Sequence, residues 1–359
     1  MKKRKRKKDK QFYLCDKSFL QLLTPEQRED FASKHLMLYP PILLIENAQH
    51  GLDKPNASLN LENTVNVPHW ALRAKMDLLT KAPENRYKIG AKIPIKSIYN
   101  ESDDERQKMT KQAVDIVRMM GENENKLRNE LSVIHGKDTK LIELAKKHKD
   151  IPDEKIIREF NQACREFTQN HPQIRFPLPL IHPKRIDNQK IPEIRKYLDD
   201  YKERSTVDSL GKAYEWMRRS FDWENPESVL DSLCKFHIIP VTNNERIRIF
   251  NRFINENQPP ISRFAPYALT TTQLYLTMFL YLIENRENSS PQGVMRDFEY
   301  LYYVLDDNVT FVAADKWHEK FIEEIPLLEN VHKRFRFIIH KNKSEDEFKK
   351  GLRSIGIKV

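Results

Sequence analysis

Four carboxylates have the residue type and the setting that could hold a divalent cation. Asp16 closes the apolar run Phe12-Tyr13-Leu14-Cys15, Glu46 closes Ile42-Leu43-Leu44-Ile45, and Asp315 closes Phe311-Val312-Ala313-Ala314. Short β-branched or aromatic runs of this kind read as buried parallel strands, each with an acid at its C-terminal end. The fourth, Asp297, belongs to a helix expected after Pro291, whose Val294, Phe298, Leu301 and Leu305 form an apolar stripe. Asp297 falls roughly 70° from the centre of that stripe and Glu299 roughly 130°. Asp297 is thus expected to border the buried seam, and Glu299 to face water. In open α/β sheets, ligands bind at the C-terminal strand edge. Carboxylates gathered there repel one another unless a divalent cation lies between them.

The donor set narrows the cation. Cys15, Cys164 and Cys234 are odd in number and far apart, with no Cys-x-x-Cys pair, so neither a disulfide framework nor a zinc site is indicated. Hard oxygen ligands select Mg²⁺ or Mn²⁺. Asp16 and Asp315 are the expected direct ligands; Glu46 and Asp297 would hold a second ion or position water. Lys17 and Lys316 each follow a proposed ligand and are candidates to hold the scissile phosphate, or equally ordinary surface charges. Each acid also has a plainer reading. A strand-end Asp is often a helix N-cap, a lone Glu46 a solvated helix residue, and Asp297 a rim ion-pair partner.

The elements that must position these residues are legible in part. Thr24-Pro25-Glu26-Gln27 offers a Thr N-cap, Pro at the first helical position and a Gln to complete a capping box. Thr270-x-x-Gln273 is expected to cap a strongly apolar helix, Asn225-Pro226 to start another, and FRFIIH (335–340) to form a last strand. Residues 55–260 read as mostly amphipathic helix with little strand signal. Ser102-x-x-Glu105 is expected to cap one such helix, and the Pro-dense stretch 171–185 to be an extended connector. His318 is expected at the surface, and Tyr300, Tyr302 and Tyr303 in the packing. Trp216, Trp223 and Tyr214 lie among Lys212, Arg218 and Arg219, a mixture that stacks bases in some proteins but is more simply an amphipathic helix on the core.

Composition sets the outer bounds. The chain has 359 residues, 39% hydrophobic and 32% charged, with eight glycines, which suits a soluble, helix-rich protein with a sizeable core. Of the formal charge of +10, the run Lys2–Lys8 supplies seven, leaving +3 for the rest. The tail, 1–10, is therefore an electrostatic arm for phosphate or a solvated disordered segment. The longest apolar stretch, Leu274 to Ile283, is too short to span a bilayer. No signal peptide is indicated, and a cytoplasmic location is expected.

Together the four motifs resemble the PIN-domain nucleases. In that family a first Asp ends the first strand, a Glu stands near the start of a helix, a third acid lies on a later helix, and a fourth ends the next strand. FYLCDKSFL, PPILLIENAQ, MRDFEYLYYV and TFVAADKWH supply these in order as Asp16, Glu46, Asp297 and Asp315. The resemblance covers about 130 residues, 11–54 plus 261–345. It implies an α/β fold, a PIN-like three-layer α/β/α domain with a central parallel sheet. A mostly helical insertion over 55–260 would interrupt it, with 346–359 as a C-terminal segment. It further implies Mg²⁺- or Mn²⁺-dependent hydrolysis leaving a 5′-phosphate, RNA preferred over DNA, and a possible homodimer. Structure-specific DNA cleavage and a non-catalytic nucleic-acid- or protein-binding module are the alternatives. The insertion is unlike anything in the small PIN toxins and could engage a regulatory partner.

Overall fold

The computed structural model describes residues 12–40, 42–43, 46, 64–67, 70–81, 139–170, 190–220, 223–235, 239, 241–284, 291–305, 308–338 and 345–358. Five parallel strands form one sheet: β1 (Phe12–Cys15), β2 (Leu36–Tyr39), β3 (Thr64–Asn66), β4 (Val309–Ala313) and β5 (Phe335–Phe337), in the order β3-β2-β1-β4-β5. The chain thus builds outward from β1 on one side, then returns to place β4 and β5 on the other. The reversal falls between β1 and β4, where Phe12 is in register with Val309 and Cys15 with Val312. That crevice is the switch point at which open α/β sheets bind ligands.

Two short helices, α1 (Lys17–Leu22) and α2 (Pro25–Lys34), connect β1 to β2. Thr24 caps α2 as expected: its side chain accepts from the Gln27 N–H, and the Gln27 side chain accepts from the Thr24 N–H. β2 departs from expectation. It is Leu36–Tyr39, whereas Ile42, Leu43 and Glu46 are helical. Pro40 and Pro41 explain the shift, because proline lacks the N–H that a central strand must donate. A second addition is β3, a strand within the stretch that shows little strand signal, pairing Met37 with Thr64.

The remaining helices are α3 (Trp70–Leu79), α4 (Thr139–Lys147), α5 (Asp153–Asn170), α6 (Ile191–Arg204), α7 (Leu210–Ser220), α8 (Pro226–Lys235), α9 (Asn243–Asn255), α10 (Ile261–Phe264), α11 (Pro266–Glu284), α12 (Pro291–Glu299), α13 (Lys316–Glu324), α14 (Glu329–His332) and α15 (Glu345–Ser354). Asn225 starts α8 as expected, its side chain accepting from the Ser228 N–H. Thr270 does not cap α11. That helix begins at Pro266, which suits a first helical position, and Asp77 from α3 accepts from the Tyr267 and Ala268 N–H groups. The residues 102–120, 171–185 and 339–340, and the basic tail, lie outside the described residues.

Among the described residues, three apolar clusters hold the helices. The largest surrounds the sheet and includes Leu210, Ala213, Tyr214 and Met217 of α7, together with Leu352, Ile355 and Ile357 at the C-terminus. A second joins α3, α8, α9, α10 and the start of α11. The third is confined to α4, α5 and α6, centred on Phe160, Ile156 and Leu198. No described helix is long and apolar enough to cross a membrane.

Candidate active site

β1 and β4 deliver Asp16 and Asp315 to the same edge of the sheet. The Asp16 N–H donates to Val312 O at 3.0 Å, extending the β1–β4 ladder by one step. Its side chain, 2% exposed, then turns back onto the backbone. Oδ1 accepts from the Phe19 N–H at 2.6 Å, and Oδ2 accepts from the N–H groups of Ala314 at 3.2 Å and Asp315 at 3.4 Å. Asp16 therefore caps α1 and also fastens the end of β1 to the end of β4. Asp315 caps α13, accepting from the Trp317 N–H at 2.8 Å. The plainer capping role and a place in the acidic cluster coexist in both residues.

Asp297 sits half-buried on α12, as its angle from the stripe predicts. Glu299 does not face water: it is 6% exposed. The helix ends there and tightens into a 3₁₀ turn over Tyr300–Tyr303, so extrapolating the α-helical angle past Asp297 fails. The same turn buries Tyr300 and aims its hydroxyl at Glu46, donating to Oε2 at 2.5 Å. Lys17 reaches the same residue from α1, its Nζ donating to Glu46 O at 2.7 Å. Lys17 thus holds the segment that carries Glu46, whereas Lys316 is exposed.

His318 is the residue that sequence reasoning misplaced most. It is 1% exposed, not at the surface. One ring nitrogen lies 2.8 Å from the Asp297 backbone carbonyl, and Nδ1 lies 3.2 Å from Asp16 Oδ2, within ion-pair reach though not aligned as a hydrogen bond. The rings of Tyr300, Phe311 and Phe321 pack edge-on around it. Its position three residues after the Asp315 cap is the missed signal. On α13 that spacing turns the side chain back over the strand ends.

The carboxylates share one electrostatic field. Burial pushes the Asp297 carboxyl up to about 7; His318 opposes the shift, and the charges of Asp315, Glu46 and Asp16 add to it. Glu46 is raised by burial too, with the Tyr300 hydrogen bond and Lys17 opposing. His318 is raised: burial favours its neutral form, but contact with Asp16 and the charges of Asp297 and Asp315 outweigh burial. Burial is the first cause of both carboxyl shifts, and the neighbouring carboxylates add to each.

The all-oxygen donor set of Asp16, Glu46, Asp297 and Asp315 is of the kind a hard divalent cation takes. Among the described residues, no three His, Cys, Asp or Glu side chains converge as a group that could hold an ion. No family model, curated protein or solved structure matches the chain.

Proposed function

We propose that the chain is a PIN-like, Mg²⁺- or Mn²⁺-dependent nuclease, with RNA the preferred substrate. The observation that carries this reading is that Asp16 and Asp315 stand at the ends of β1 and β4, where the Asp16 carboxylate accepts from the Asp315 N–H, with Asp297 and Glu46 in the same field. A bound divalent cation would orient a phosphodiester, lower the pKa of water and offset charge on the leaving oxygen. The chain's own residues do the rest. Asp16 and Asp315 present carboxylates at the strand edge, held by backbone N–H donors. Asp297, which keeps its proton up to about pH 7 without a cation, accepts one from an incoming water once ionised. Tyr300 and Lys17 fix Glu46, and His318 ties Asp16 to α12. Lys316, exposed and next to Asp315, would meet phosphate in this reading.

The non-catalytic alternative draws on two observations: both Asp16 oxygens are engaged by backbone N–H groups, and among the described residues no three donors converge. Thermal melting with Mn²⁺ separates the two. A nuclease site gains stability with Mn²⁺ in proportion to ln(1 + [Mn²⁺]/Kd), and Asp315→Asn removes the gain. A binding module shows no gain in either protein.

A further inference from the structure

A second site is built between α6 and α7, where the α4–α6 cluster meets the main core. It is a half-open pocket of about 330 Å³, at the lower end of ligand-sized cavities. Its walls are the rings of Tyr197 and Tyr201 from α6 and Trp216 from α7, and its cations are Lys196, Arg204 and Arg219. Positions 197, 201 and 204 fall at i, i+4 and i+7, on one face of α6.

The aromatic walls are fixed in place. Tyr197 packs edge-on against Phe160 of α5 at 5.8 Å and stacks on Tyr201 at 6.2 Å. Trp216 is half-buried against the main core, and the Arg204 guanidinium lies 4.9 Å from the Tyr201 ring centroid. Burial pushes the Tyr197 hydroxyl up to about 12, so it keeps its proton as a hydrogen-bond donor. Two acids, Asp200 and Glu203, also line the pocket, and Glu203 pairs with Arg219. Three cations against two acids leave one net positive charge, which matches a single phosphodiester better than a polyphosphate.

We propose that this pocket binds one nucleobase with its adjoining phosphate. The base stacks on Trp216 and packs against the edge of Tyr201, whose ring already carries Tyr197 and Arg204, and the phosphate meets Arg204 and Arg219. Every base presents a π-face, so the pocket takes nucleotides with little sequence preference. The ligand's source is either a single strand threaded past the pocket or a free mononucleotide. The first source deepens the nuclease reading and rests on it, while the second stands without it.

The test uses the full chain in EDTA, so that nothing is cleaved. Fluorescence anisotropy measures binding of labelled U10 and A10 RNA, and calorimetry measures binding of UMP and AMP. Trp216→Leu keeps apolar volume against the core, and Arg219→Glu alters an exposed side chain, so at least one variant retains the fold. The expected result is oligomer binding weakened about tenfold in both variants, with the Mn²⁺ melting shift unchanged. Mononucleotide binding lost in the same two variants would assign the pocket to free nucleotide instead. Oligomer and mononucleotide affinities unchanged in both variants, or no binding by the wild type, would overturn the proposal. Asp16→Asn run alongside separates the two readings: it should bind the oligomers as the wild type does, yet fail to cleave when Mn²⁺ is added. Pocket binding with persistent Asp16→Asn cleavage would sink the nuclease site and leave the pocket standing.

Discussion

Asp16 is the most constrained residue of the site, because three backbone N–H groups and an imidazole converge on its carboxylate. Losing one partner of a buried charged pair leaves the other uncompensated, typically at a cost of about 3 kcal/mol or more. His318→Leu should therefore destabilise the fold by about 3 kcal/mol in urea melts. In an Asp16→Asn background the same change should cost clearly less; equal costs in both backgrounds would show that the two residues are not coupled. Asp297 makes a separate prediction. Its ordinary value is 3.8 and its folded value about 7. Between these, the folded chain binds more protons than the unfolded one, so stability from this group falls as pH rises from about 4 through 7. His318, raised above 6.5, acts in the same direction, while His35, lowered by burial, opposes it. Comparing metal-free melting temperatures of the wild type and Asp297→Asn from pH 5 to 8 isolates the Asp297 contribution. The wild type should lose more stability with rising pH than the variant. Parallel slopes would mean the carboxyl is not perturbed.

At the scale of elements, the site depends on how each helix starts and stops. The Thr24 capping box was readable because its chemistry is local: four consecutive residues contain every partner. Thr24→Ala should cost about 1 kcal/mol, read as a lower urea midpoint with an unchanged slope. The start of α11 was not readable, because its cap is Asp77, 190 positions away from Tyr267 in sequence. Arg252 belongs to the same junction. It donates to the carbonyls of Asp77, Leu78 and Phe264 and lies 4.1 Å from the Phe264 ring centroid. Arg252→Ala should cost several times more than Thr24→Ala, since it leaves buried carbonyls without a donor. A cost near zero would show that water replaces it. The strands divide along the same line. FYLC and TFVAA announce themselves by composition, whereas β2 lies one run before the apolar segment that follows the Pro40-Pro41 break. The three-residue β3 carries too little apolar pattern to be seen before its neighbour is known. Glu299 departs from its expected exposure for a related reason, since a change from α to 3₁₀ winding leaves no period in so short a stretch.

Over the whole molecule, sequence-distant parts close around one sheet. α15 and the residues after it bury Leu352, Ile355 and Ile357 in the main core. Lys34 donates to Gly356 O, and His35 lies 3.1 Å from Ile355 O, so the end of the chain is fastened to the end of α2. Leu352→Ala should cost about 2–5 kcal/mol, the range for truncating a buried leucine, and should lower the melting temperature without changing substrate binding. α7 links the helical clusters to the site, because it packs on α11 and its Leu210 N–H donates to Glu324 at the end of α13. The positions of Asp16, Asp297 and Asp315 were legible from the sequence because each stands beside a strand or stripe with its own period, whereas Glu46 follows a helical segment and not the expected strand. His318 and Tyr300, which bind the acids together, were not legible, because their roles exist only once α12, α13 and β1 have met.

The central claim is that Asp16, Glu46, Asp297 and Asp315 form a metal-dependent phosphodiesterase site. The most direct measurement is cleavage of labelled single-stranded RNA, single-stranded DNA and a flapped duplex by the full chain, in Mn²⁺ or EDTA, beside Asp16→Asn. Cleavage should require Mn²⁺, favour RNA, and fall by about a hundredfold or more in Asp16→Asn, since several kcal/mol of charge stabilisation are lost. Cleavage that persists in EDTA, or that Asp16→Asn leaves intact, would contradict the account, as would a wild type that binds these substrates with Mn²⁺ present and cleaves none of them.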